Sequence, residues 1–96
     1  MITATATQNF HLEPINATDG SYTLPFDCAP YKKVSAVRTD NGTCVMYVCG
    51  GYTPESGKAS REIHVFYANG DMWYSFGTSV ASAVQGAFAD MWKQGI

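Results

Sequence analysis

The sequence predicts an α+β fold: an antiparallel sheet of about five or six strands in three hairpins, with one C-terminal helix packed on one face. Three observations carry that prediction. Apolar and polar residues alternate with period two in several short segments, the mark of half-buried strands. Two Asn-Gly pairs, Asn41-Gly42 and Asn69-Gly70, stand between such segments and signal tight turns. Helical spacing governs the last stretch, where Val80, Val84, Ala87, Phe88 and Met91 recur on one side.

The first element is read from Ile2 to Glu13, where Ile2, Ala4, Ala6, Phe10 and Leu12 alternate with Thr3, Thr5, Thr7, Asn9 and His11. Pro14 to Gly20 breaks that pattern. Tyr22, Leu24 and Phe26 resume it, while Pro25 and Pro30 forbid a long central strand, so the first two segments read as a hairpin whose second strand lies near an edge. Val34 to Thr39 and Thr43 to Gly50 flank Asn41-Gly42 and form a second hairpin, for which a two-residue type I′ turn is expected. Its returning strand, Cys44-Val45-Met46-Tyr47-Val48-Cys49, is apolar on both faces and is therefore placed at the centre of the sheet. Tyr52 to Ala59, with Pro54 and Gly57, reads as a loop.

Arg61 to Phe76 forms the third hairpin by the same turn logic. With Asn69 and Gly70 as the two turn residues, Ala68 faces Asp71, Tyr67 faces Met72, Phe66 faces Trp73, Val65 faces Tyr74, His64 faces Ser75 and Ile63 faces Phe76. That register assigns Ile63, Val65, Tyr67, Met72, Tyr74 and Phe76 to the core under the helix, and Glu62, His64, Phe66, Asp71 and Trp73 to the opposite face. Thr78 or Ser79 caps the helix, and Gly95 ends it.

Composition bounds the function. The chain of 96 residues fits one domain, 1–96, with a thin core. Charged residues make up 15% against a usual level of about 25%, too few to cover a monomer comfortably, which points to one face being buried against another chain. The formal charge is −2 and the acids are scattered, so a nucleic-acid role is disfavoured; Lys32, Lys33 and Arg38 are read as keeping an edge strand in solution. The odd number of cysteines, Cys28, Cys44 and Cys49, precludes a closed disulfide framework. A reducing compartment is the simpler reading, and with no signal-like leader and no apolar run of membrane-spanning length the expected location is the cytoplasm.

No motif for catalysis or metal binding is present. Cys44 and Cys49 are five apart and project to opposite faces of a regular strand, and neither His11 nor His64 has ligand spacing around it, so no metal and no cofactor are expected. Cys28 is a nucleophile candidate in a loop, but Asp27 beside it works against a thiolate. The expectation is a non-enzymatic protein. The candidate partner-binding residues are Phe66 and Trp73, expected side by side, with His64 and Asp71 on the same hairpin and Trp92 near the end of the helix, because exposed aromatics dominate interface hot spots. The competing reading of the Phe66 face is that a second layer of this chain, with the N-terminal hairpin as the candidate, covers it.

The stretch Ile63-His64-Val65-Phe66-Tyr67-Ala68-Asn69-Gly70-Asp71-Met72-Trp73-Tyr74-Ser75-Phe76, followed by a short helix, resembles the strand-turn-strand-helix end of KTSC-type domains. In general character the chain also resembles phage-encoded inhibitors such as anti-CRISPR proteins. That resemblance implies a small binding protein that inhibits a larger protein complex, in a host cytoplasm. A self-associating structural subunit, with a homodimer as its simplest form, and a small cysteine/histidine-dependent enzyme are the alternatives from other classes.

Overall fold

Among the described residues five strands lie in the sheet in the order in which they occur along the chain: β1 (His11–Ile15), β2 (Lys33–Arg38), β3 (Cys44–Gly50), β4 (Ile63–Tyr67) and β5 (Met72–Phe76). Every neighbouring pair is antiparallel, and one helix, α1 (Val80–Gln94), follows. The computed structural model describes residues 9–16, 23–58, 60–76 and 79–94, with the backbone alone at 74–76 and 94. This is the α+β arrangement expected, with β3 at its centre.

The expected first hairpin is not formed among the described residues. β1 pairs with β2, and no strand occurs among described residues 23–32. Residues 2–8 of the expected first strand, and Tyr22, lie outside the described residues. Pro14, expected to end the first strand, instead sits within β1; an edge strand tolerates a residue that cannot donate. Pro25 and Pro30 deny the following segment a ladder, and it crosses the sheet as an irregular strap. The strap turns at Cys28 to Tyr31, where Tyr31 N–H donates to Cys28 O at 3.0 Å and Ala29 N–H to Asp27 Oδ1 at 3.0 Å.

Both Asn-Gly turns exist, but neither is a two-residue type I′ turn. Gly42 N–H donates to Thr39 O at 2.8 Å and Gly70 N–H to Tyr67 O at 2.9 Å, so each loop has three residues. Positive φ occurs at the glycine, +83° at Gly42 and +96° at Gly70, and at no non-glycine among the described residues. Asn41 and Asn69 contribute through their side chains instead. Asn41 Oδ1 accepts from Thr43 N–H at 3.0 Å and Asn69 Oδ1 from Asp71 N–H at 2.9 Å, the local bond that Asn makes two residues on. In both hairpins an irregularity follows directly, between Val37 and Arg38 and between Val65 and Phe66.

The consequence for the third hairpin is specific. Phe66 pairs with Met72 rather than Trp73, while Val65 with Tyr74, His64 with Ser75 and Ile63 with Phe76 stand as expected. The longer loop shifts the register by one and the bulge shifts it back.

The sheet separates two cores. On one face Val37, Met46, Val48, Ile63, Val65 and Tyr67 meet Ala83, Val84 and Ala87 of α1, with Trp73, Phe88 and Met91 half-buried around them. Met72, assigned to this core from the sequence, is 51% exposed, and the side chains of Tyr74 and Phe76 lie outside the description. Ser79 caps α1 by accepting from Ser82 N–H at 3.2 Å. A helix of 15 residues is marginal alone, so its place is set by burial of that small-residue stripe on the sheet. No described helix is long and apolar enough to cross a membrane.

Candidate functional site

On the other face Ile15, Val34 and Cys49 are buried beneath Leu24, Phe26, Cys28 and Tyr31 of the strap, together with Tyr47 and Phe66. This face holds two of the candidate residues. Phe66 stacks on Phe26 with ring centroids 4.1 Å apart and planes within 2°, and Tyr31 meets the same ring edge-on at 5.9 Å. The second layer that covers Phe66 is therefore the strap.

His64 lies one step along β4 and is 7% exposed. Tyr52, in the loop after β3, lies over its ring at 4.6 Å, and Tyr31 crosses it at 5.4 Å. That loop is held to the strap by Thr53 N–H donating to Pro30 O at 2.8 Å. The Tyr31 hydroxyl and His64 Nδ1 are 2.7 Å apart. Burial, with Cys49, Tyr52, Asp27 and Glu62 nearby, pushes the Tyr31 phenol up to about 12, so it stays protonated and donates. Nδ1 thus accepts, and the ring hydrogen of the neutral imidazole sits on Nε2. Nε2 is enclosed without a hydrogen-bond partner, and Glu62 Oε2, which accepts from Ser60 Oγ at 3.0 Å, is 3.9 Å from it.

Tyr31, His64 and Glu62 form a line, but its electrostatics favour neutral groups. Burial lowers the pKa of His64 against the raising influence of Glu62. Burial also pushes the Cys49 thiol up to about 12, with Cys28 adding to the rise, so Cys49 packs as a small apolar group. Among the described residues no cluster of three His, Cys, Asp or Glu could hold a metal.

A pH dependence follows. His64 is depressed in the folded chain relative to about 6.5 when unfolded, so the unfolded chain takes up the proton first as pH falls. The stability contribution is complete above about pH 6.5 and is lost as pH drops below it through the folded value. Urea denaturation at pH 7.5 and pH 5.5 should show the chain less stable at the lower pH, and His64→Gln, which keeps an acceptor for Tyr31, should remove that part of the difference. An equal loss in both proteins would show that His64 is not its source.

The remaining candidates gather elsewhere. Tyr67 donates its hydroxyl to Asp90 Oδ2, with Ala87 O 3.4 Å away, and burial, with this bond and the Asp90 charge adding to it, holds its pKa far above the usual phenol range. The contact holds Asp90, in the last turns of α1, beside the Tyr67 to Asp71 turn. Trp73 is half-buried against the helix-side core, the face opposite Phe66, because of the bulge. The expected side-by-side Phe66 and Trp73 pair is thus not formed. Asp71 is exposed in the turn and Trp92 is 60% exposed.

Sequence reasoning offered the N-terminal hairpin, whose second strand was to hold Phe26, as a cover of the Phe66 face, and missed Tyr31 and Tyr52 as the cover of His64 and Met72 as exposed surface. Pro30-Tyr31 beside an apolar alternation was the available signal for the strap, and it does not say which surface the strap covers. No protein-family model matches the chain, and no curated protein or solved structure shows significant similarity to it.

Proposed function

We propose that this chain is a non-enzymatic binding protein that docks on a larger protein through the end of the fold bearing Trp92 and Met72, with Asp71 and Trp73 at its margin. The observation that carries the reading is the exposure of Trp92, at 60%, on a helix whose last turns are pinned by Tyr67 to the turn that precedes the half-exposed Met72. A large aromatic held on a rigid element brings contact area at little entropic cost, the usual makings of an interface anchor. Phe66 and His64 leave the surface in this reading, because the strap and the Tyr52 loop occupy their face. Inhibition of a larger complex, as the likeness to phage-encoded inhibitors implies, is the form of binding we propose.

The test is affinity capture from the cells in which the protein is naturally made, followed by titration of the recovered partner. Trp92→Ala should weaken binding about thirtyfold, the equivalent of a 2 kcal/mol hot spot, while leaving the unfolding midpoint unchanged. Undiminished binding by both Trp92→Ala and Met72→Ala would overturn this choice of surface.

A further inference from the structure

The two edges of the sheet differ in their chemistry. β1 carries His11, Glu13 and Pro14. Pairing β1 with a second β1 about its central residue sets Glu13 against Glu13, each already engaged by Arg38 of its own chain, and Pro14 offers no donor. These are the devices by which an edge is closed to other chains. β5, Met72-Trp73-Tyr74-Ser75-Phe76, has no charge, no proline and strong strand formers almost throughout, and its one such device is the bulge at Trp73. No described strand pairs with its outer side. The bulge occupies the Met72 end, and Tyr74 to Phe76 are in regular register with β4.

We infer that β5 is the self-association edge of this protein, and that its occupant is β5 of a second copy in antiparallel, twofold-symmetric pairing. Centred on Ser75, within the regular stretch, the pairing sets Ser75 against Ser75 and Tyr74 against Phe76, with no like charges opposed. The twofold axis stands perpendicular to the sheet, so the two five-stranded sheets become one of ten strands with both helices on the same face. The low charge content fits this arrangement, since the uncharged edge is the one that a neighbour covers. A pairing of Tyr74 to Phe76 buries far less than a standard interface of about 1,600 Å², so the dimer is weak and dependent on concentration. The inference stands apart from the proposed partner surface.

Light scattering over a concentration series should show the mass of the whole chain rising from one copy to two. Ser75→Lys, which places a charge on the edge, should weaken association at least about tenfold, and Leu12→Lys on the β1 edge should leave it unchanged. Amide hydrogen exchange of the unaltered protein provides a measurement that needs no variant: protection of 74–76 should rise with concentration and protection of 11–15 should not. A wild-type chain that stays monomeric across the series, a Ser75→Lys protein that dimerises as the wild type does, or concentration-independent protection of β5 would each overturn the inference.

Discussion

Gly70→Ala is expected to destabilise the protein by about 2–4 kcal/mol, whereas Gly42→Ala in the matching turn should cost only about 1 kcal/mol. Both glycines have positive φ, so both substitutions strain the backbone. They differ in what the new methyl meets. A Cβ at Gly42 has nothing within 4 Å, while one at Gly70 would lie 2.8 Å from the carbonyl oxygen of Pro25. That neighbour is backbone, so relief requires the strap to lift, and the residue after Pro25 is Phe26, which is stacked on Phe66. Native stability for a chain of this length is roughly 5–14 kcal/mol, so the Gly70 change should remove a large part of it. Urea titrations of the two variants check the expectation, and equal losses would show that the strap does not rest on this turn.

The contrast between these turns shows what local sequence encodes. Asn41-Gly42 and Asn69-Gly70 announce hairpins, and hairpins form at both, because a single left-handed glycine and an Asn side chain that bonds two residues on are local properties. The loop length is less legible, since a three-residue loop with a bulge and a two-residue loop lead to the same pairing from Val65 outward. Only the residues from Phe66 to Trp73 feel the difference, and there it sends the two aromatics to opposite faces. The strap was illegible for another reason. Leu24 and Phe26 alternate in the way strand residues do, and whether such residues pair at an edge or lie across a sheet depends on the surface offered by Cys49, His64 and Phe66, far along the chain. Helix α1 was legible because its stripe, Val84, Ala87, Phe88 and Met91, has one use, though Ala83 joins the buried set and Val80 stays 37% exposed.

Phe66→Ser should cost about 2–4 kcal/mol of folding stability, less than truncation in a sealed core because the ring is half-buried. As a partner anchor on an open face, Phe66 could be made polar with the fold intact. Stacked at 4.1 Å under Phe26, with Tyr31 edge-on, its removal leaves two rings of the strap resting on a gap, Phe26 directly and Tyr31 beside it, while Tyr47 of β3 packs against Phe26 at 5.6 Å from the sheet below. The loss should be shared with Phe26. A double-mutant cycle of Phe26→Leu and Phe66→Leu should return a coupling of about 0.5–1.5 kcal/mol, the range for aromatic pairs beyond their buried area. Phe66→Ser should also loosen His64, because Tyr31 touches both rings, so the acid-sensitive part of stability that His64 supplies should shrink in the same variant. A Phe66→Ser protein with wild-type stability and unchanged pH dependence would mean that the strap is not seated on the sheet, and that the face with His64 and Phe66 stands open after all.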